Sequence, residues 1–342
     1  MKSNERKLKI LQAIIHNYIL NAEPIGSRTI SKKYNLGVSP ATIRNEMSDL
    51  EELGYLLQPH TSSGRIPSNK AYRLYVDGLM EVERDLPELK HMRKKLINEM
   101  GEIERLIENS AKILSKVTNY TSLAIAPQMK QSRLKHIQLL PIDTNKILLV
   151  VITNTGIVKN TIIKSSKDIS NERLNTISNY LTNRLKGQLV GQIEGILNGD
   201  ILNEMHNFKH IINKVITKIN KSLDNIESVD LYSDGITKIF NFPEYNNIDK
   251  AKSFISFIEN KDNVVDMLLS SGINDLGITI GEENNYDEIK NCSLITATYR
   301  LNGKTIGKIG VIGPTRMEYS KVIPIVRGLS FDLTNILKKY CE

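Results

Sequence analysis

Along the first eighty residues, apolar and polar positions alternate with a helical period. Leu8, Leu11, Ile14, Ile15, Tyr18 and Ile19 recur at spacings of three and four, which predicts an amphipathic helix over residues 5–20. Asn21-Ala22-Glu23-Pro24-Ile25-Gly26 ends it. Ser27 stands where a hydroxyl caps a short second helix over 28–34. Asn35-Leu36-Gly37 reads as a tight turn, with Gly37 suited to left-handed backbone. Ser39 and Pro40 mark the next start, as cap and first helical residue, of a helix that runs to 53 and stops at Gly54. A short helix, a glycine turn and a capped helix make a helix-turn-helix unit.

The third helix sorts its residues by face. Ile43, Met47 and Leu50 share one stripe, with Leu53 beside it. The opposite arc holds Ala41, Asn45 and Ser48, flanked by Thr42 and Arg44. Short polar side chains in the first half of a helix suit base reading in a major groove. Asp49, Glu51 and Glu52 crowd the other end, which phosphate would repel. Residues 55–58 then read as a strand, and Pro59 to Pro67 as a turn-rich tip and return: a hairpin, the wing of a winged helix. Its tip offers Ser62, Ser63 and the Gly64 amide to phosphate, and Arg65 to phosphate or a narrow minor groove. Tyr72, Leu74, Tyr75, Leu79 and Met80 predict a further helix that closes this small core.

Beyond it, residues 81–117 carry apolar positions at near-heptad spacing, interrupted by Glu99 and Ser110 and weakened by Gly101. A connecting helix packed on the next domain is expected rather than a long coiled coil. Runs at 136–141, 146–153 and 156–164, separated by Asp143-Thr144-Asn145 and Asn154-Thr155-Gly156, predict an antiparallel meander. Helices are predicted over 170–186 and 203–223. The run 147–152 is apolar on both faces, so one face is expected to meet helices and the other a second subunit. Later come a strand over 236–240, a helix over 249–258, a further element over 263–269, and strands over 278–281, 293–301 and 305–312. Asn302-Gly303 marks a hairpin between the last two, and two helices follow over 317–326 and 330–339. This last part has the pattern of a GAF-like sensor domain interrupted by an insertion.

The fold class expected is therefore multidomain α+β: a winged helix over 1–85, a connecting helix and the start of a GAF-like domain over 86–129, an inserted α+β unit over 130–222 (the dimerisation domain that the family resemblance given below implies), and the remainder of the GAF-like domain over 223–342.

Charge refines this picture only slightly. The chain of 342 residues has 46 Lys and Arg against 38 Asp and Glu, net +8. Residues 1–80 carry net +4, 81–129 net 0, 130–222 net +8 and 223–342 net −4. The middle excess is scattered lysine without interleaved aromatics, a solvated surface rather than a nucleic-acid groove. The longest apolar run is six residues, while a spanning helix needs about 20, so no membrane partner is expected. The polar N-terminus lacks the pattern of a secretory leader. Two cysteines, Cys292 and Cys341, exclude a disulfide framework and a cysteine zinc cluster, and suit a cytoplasmic protein.

Candidate chemistry is sparse. His206 and His210 have a metal-ligand spacing but no third ligand, so no metal is expected. Gly307, Gly310 and Gly313 match neither the dinucleotide nor the P-loop pattern and read as strand glycines. There is no Gly-x-Ser-x-Gly and no catalytic Cys–His arrangement, so neither an enzyme nor a cofactor is expected.

Val38-Ser39-Pro40-Ala41-Thr42-Ile43-Arg44-Asn45-Glu46-Met47-Ser48-Asp49-Leu50-Glu51-Glu52-Leu53-Gly54-Tyr55 resembles the N-terminal signature of the HrcA family of bacterial heat-inducible transcription repressors. So do Gln58-Pro59-His60-Thr61-Ser62-Ser63-Gly64-Arg65-Ile66-Pro67 and Tyr72-Arg73-Leu74-Tyr75-Val76-Asp77, with Ser63 standing where the family pattern has Ala. The resemblance implies an inserted dimerisation domain, an inverted-repeat operator upstream of chaperone operons, and dependence on the GroE chaperonin for activity. Ser39, Ala41, Thr42, Arg44, Asn45 and Ser48 are then the base-reading candidates. Arg28, Lys32, Lys33, Ser62, Ser63, Gly64, Arg65, Lys70 and Arg73 are the backbone and wing candidates on double-stranded DNA, bound by a homodimer. A metabolite-responsive winged-helix regulator, with a small ligand in the GAF-like domain, is the alternative.

Overall fold

The computed structural model describes residues 3–60, 63–80, 103–125, 133–154, 158–165, 169–197, 230–270, 275–301 and 304–341, with Asn213 and Thr217. The first apolar stripe folds as α1 (Ser3–Asn21), which buries Ile10, Leu11, Ile14, Ile15 and Ile19. Helix α2 (Ser27–Lys33) starts one residue earlier than expected: Gly26, not Ser27, occupies the cap position, and no side chain bonds the first amides. Gly37 turns the chain at φ +68°. Helix α3 (Pro40–Glu52) begins as predicted, with Ser39 Oγ accepting the Thr42 amide at 3.2 Å.

Strands β1 (Leu56–Leu57) and β2 (Ile66–Pro67) pair antiparallel, Leu57 opposite Ile66. On the other side, Arg65 exchanges backbone hydrogen bonds with Ile25 at 3.0 and 3.1 Å. Gly64 passes so close to the Ile25 backbone that any Cβ there would collide. Helix α4 (Asn69–Met80) is capped by Ser68, whose hydroxyl accepts the Ala71 amide at 3.2 Å and donates to Gly54 O at 2.7 Å. Its inward face is Ala71, Tyr72 and Val76; Leu74 and Met80, expected in the core, are exposed. Position 74 lies about 200° around the helix from 72, so both cannot face inward.

Of the predicted helix over 81–117, residues 81–102 lie outside the described residues. Its remainder is α5 (Ile103–Thr118), which packs on a sheet as expected of a connecting helix. Ser110, an apparent break in the stripe, is fully buried and donates to Leu106 O at 2.6 Å. Strand β3 (Thr121–Ile125) follows. The meander appears as β4 (Leu134–Asp143), β5 (Lys146–Thr153) and β6 (Val158–Lys164), a three-stranded antiparallel sheet in that order. Helix α6 (Asn171–Leu185) covers one of its faces and shares a core with Ile137, Leu139, Ile147, Leu149 and Val151. A short α7 (Ile193–Leu197) follows. The helix predicted over 203–223 lies outside the described residues.

The rest of the chain forms β7 (Leu231–Asp234), α8 (Ile248–Glu259), α9 (Lys261–Ser270), β8 (Leu276–Ile280), β9 (Cys292–Leu301), β10 (Lys304–Pro314) and α10 (Tyr319–Cys341). A five-stranded antiparallel sheet runs β7-β3-β10-β9-β8, so β3 joins strands that lie far beyond the meander. Alternate residues face opposite ways. Ala124, Ile295, Ala297, Ile309 and Val311 meet α5, α10 and the N-terminal helices. Leu123, Ile125, Leu294 and Ile312 meet α8 and α9. The architecture is mixed α+β with several sheets.

Two local expectations fail for identifiable reasons. Residues 236–240, predicted as a strand, form a 3-10 turn, because Gly235 adopts φ +71° and turns the chain out of β7. The two terminal helices are one: α10 runs through Pro324 and Gly328. Val322, Ile325, Val326, Leu329, Leu333, Ile336 and Leu337 form a continuous buried stripe. Burying each such side chain contributes about 1.5–3 kcal/mol, more than the roughly 1 kcal/mol a glycine costs a helix. The glycines of β10 sit under neighbours: a Cβ at Gly307 would strike the Tyr299 side chain, and one at Gly313 the Tyr120 ring.

Gly64→Ala should destabilise the N-terminal helices by about 1–3 kcal/mol, since the obstacle is backbone and cannot rotate away. A lower urea midpoint followed by tyrosine fluorescence checks this.

Candidate nucleic-acid interface

Helix α3 is held so that one arc faces solvent. Ile43, Met47 and Leu50 are buried in the core shared with α1, while Ala41, Arg44, Asn45 and Ser48 are exposed. The side chains of Arg44, Asn45 and Ser48 make no hydrogen bond or ion pair among the described residues. Ser39 and Thr42 are otherwise engaged. Their hydroxyls lie 3.0 Å apart, and Ser39 Oγ caps the helix. Ser39 thus builds the helix start, and Thr42 stands partly exposed beside it.

An unpredicted charge fixes the rotation of α3. Glu46 is buried at 5% exposure between Ile43 and Leu50. The Arg6 guanidinium donates from both Nε (2.8 Å) and Nη2 to its Oε1. Lys7 Nζ stands 3.8 Å from Oε2 and 2.8 Å from Asp49 Oδ2. The Asp49 hydrogen bond raises the Lys7 pKa above its ordinary value. The sequence signal was available: Glu46 falls within the apolar stripe, and a carboxylate there requires a cation from the helix it packs on. Two of the acidic residues at the end of α3 are neutralised in this way, because Glu51 takes Arg65 at 2.7 Å.

The backbone and wing candidates divide into two groups. Arg28 and Lys32, on α2, are exposed and without a partner among the described residues. The others are tied down. Lys33 Nζ donates to Asn17 Oδ1 at 3.1 Å, and Lys70 Nζ to Leu53 O at 2.9 Å while lying over the Tyr55 ring. Arg65 joins the hairpin to the end of α3 through Glu51. Ser63 closes the tip of the hairpin: its Oγ donates to His60 O at 2.7 Å and accepts the His60 amide at 3.0 Å. Gly64 is the close-approach residue at Ile25. Arg73 is instead bound to Glu283, in the turn that follows β8. Ser62 lies outside the described residues, as do His206 and His210.

Elsewhere, an open groove of about 370 Å³ is lined by Phe240, Tyr245, Asn246, Ile248, Ala251, Lys252 and Ile255. Its wall is chiefly apolar, with Lys252 its one cation among the described residues. Cys292 is buried beside the Tyr245 hydroxyl at 2.9 Å, and burial pushes its thiol up to about 12, which keeps it protonated. No described helix is long and apolar enough to cross a membrane.

Arg6→Ala should cost about 1–3 kcal/mol, because it leaves a buried carboxylate with only a distant lysine. Glu46→Gln should cost less. Chemical denaturation of both variants checks the order.

Known proteins resemble the whole chain. The family model for the HrcA protein C-terminal domain matches residues 104–323. The heat-inducible transcription repressor HrcA of Alkaliphilus metalliredigens is 48% identical over 339 residues, covering 99% of each chain. That of Clostridium tetani is 43% identical over 342 residues, covering 99% of this chain and 97% of the relative. The crystal structure of a hypothetical protein at 2.2 Å superposes with a TM-score of 0.73 at 20% identity, covering 99% of this chain and all of that one, and so shares the fold. An N-terminal helical unit with an outward polar arc and a C-terminal part matched by the family's own domain have one common account: the chain belongs to the HrcA family.

Proposed function

We propose that the chain is a heat-inducible transcription repressor that reads DNA with α3, in a winged helix-turn-helix formed by α1–α4 and the β1–β2 hairpin. The observation that carries this reading is the exposed arc of α3, where the side chains of Arg44, Asn45 and Ser48 have no partner among the described residues while the opposite stripe is buried. Arg44 and Asn45 have the donors that read guanine and adenine edges, and Ala41 offers a methyl contact to thymine. Arg28 and Lys32 on α2 supply phosphate contacts. Ser39, Thr42, Ser63, Gly64 and Arg65 shape the surface: they cap α3, close the hairpin tip and fasten the hairpin to α3. Heat-shock genes are the targets, in keeping with the name the relatives carry.

The five-stranded sheet with its helices is read as a GAF-like body, into which the β4–β6 unit is inserted as a dimerisation domain. Support comes from the face of that unit that no described element covers. Leu140, Leu148 and Ile162 align in one row across the three strands, and His136, Ile152 and Val158 in another. Leu140, Ile142, Val158 and Ile162 are each more than two-fifths exposed. A second copy is the natural cover, and two copies present two α3 helices to an inverted repeat. Dependence on the GroE chaperonin, implied by the family resemblance, belongs to the same reading.

A footprint on chaperone-operon promoter DNA, with and without chaperonin, is the direct test; protection of no inverted repeat under either condition would sink the proposal. Arg44→Ala should weaken specific binding by about 1–3 kcal/mol with little change in non-specific affinity. Lys32→Ala should weaken binding to all sequences and lower the salt slope by about one. Ile162→Glu should yield monomers in sedimentation velocity.

A further inference from the structure

Among the described residues, two arginine forks tie the N-terminal helices to the C-terminal part of the chain. Arg316 donates from Nη1 to Ile19 O at 2.9 Å, one of the carbonyls left open at the end of α1, and its guanidinium also binds Glu244. The second fastening is more specific. Arg73 on α4 donates from Nε to Glu283 Oε1 at 2.8 Å and from Nη2 both to Glu283 Oε2 and to Ile278 O, the latter at 2.8 Å. Asp77, one turn along, is 3.5 Å from Nη1. Glu283 cannot swing freely, because Oε2 also accepts the Ile280 amide at 2.9 Å. The turn between them, Gly281–Glu283, begins with Gly281 at φ +57°, and the Asn69 carboxamide fills the space a Cβ there would need. The Tyr72 and Tyr319 rings lie 5.9 Å apart beside it.

We infer that Arg73 and Glu283 are positioning residues for operator recognition. By clamping α4 to the turn at Gly281–Glu283, they set where each α3 stands relative to the dimer body, and hence which half-site spacing the dimer accepts. The inference rests on the proposed operator-binding homodimer. Once one head is bound, the second binds with an effective concentration fixed by the rigidity of its attachment. A rigid attachment makes that concentration high at one spacing and very low at others. A loosened attachment lowers the peak and broadens it. A three-point arginine fork is suited to this, since lysine cannot hold two carboxylate oxygens and a carbonyl in one plane. The arrangement also separates this role from a phosphate contact by Arg73, which lysine would preserve.

The test uses full-length protein and three kinds of duplex: the footprinted inverted repeat, the same repeat with two base pairs added to or removed from its spacer, and a single half-site. Wild type should lose at least about tenfold in affinity when the spacer changes. Glu283→Gln should bind the native repeat about fivefold more weakly, show an almost flat response to spacer length, and match wild type on the half-site. Arg73→Lys should behave likewise, and it carries the test if Glu283→Gln fails to fold. An unchanged spacer response in the variants would overturn the inference, as would tighter half-site binding by Glu283→Gln, which would mean that Arg73 had been released to phosphate. A wild type that protects no inverted repeat would overturn the operator reading itself, a result visible without any variant.

Discussion

The orientation of α3 depends on one packing constraint: Ile43, Met47 and Leu50 must be buried against α1, and Glu46 is buried with them. Apolar burial alone would tolerate some rotation of a helix about its axis, since the hydrophobic effect has no direction. A carboxylate at 5% exposure does not tolerate it, because its cost is offset only while Arg6 reaches it. The ion pair therefore contributes specificity of angle more than stability. It holds the outward arc of Arg44, Asn45 and Ser48 at one setting, as the proposed base reading requires.

The same economy governs the other charges. Cationic side chains near α3 serve two purposes, and the structure assigns them individually. Arg6, Lys7 and Arg65 pair with three of the four acidic residues of α3, Glu46, Asp49 and Glu51, and so offset their negative charge. Arg28, Lys32 and Arg44 keep their charge outward. Net charge over the first eighty residues could not have separated the two groups, because it counts both equally.

What the sequence made legible was local. Ser39-Pro40, Gly37 and Gly54 specify the limits of α3 through capping and backbone preference, which act within a few residues. The β9–β10 hairpin and the β4–β6 meander were likewise marked by turns and alternation. Arg73 was legible only as a cation near the wing. Its partner is 210 residues away, and no local pattern announces a pairing of that separation. Residues 236–240 and the joined α10 failed in the opposite sense: propensity favoured a strand and a break, and tertiary packing overrode both. Glu46 is the instructive case. It was readable in principle, as a charge on an apolar stripe, although nothing local named Arg6 as its counterion.

The route of the chain through the five-stranded sheet has a kinetic consequence. Strand β3 finds its two neighbours, β7 and β10, only after the whole β4–β6 unit has intervened, and Ala124 pairs with Tyr232 on one side and Ile309 on the other. Closing loops of that length precedes any reward from the contacts they make, so folding dominated by such pairings is slow. Until β10 arrives, β3 presents unpaired edges, and α5 and the N-terminal helices lack the surface that completes their core. The N-terminal helical unit can thus form its helices early, yet it reaches final packing only when the last strand of the sheet and α10 are in place. For a protein wired in this way, the delay between synthesis and full packing is a property of topology, set by strand order rather than by any single side chain.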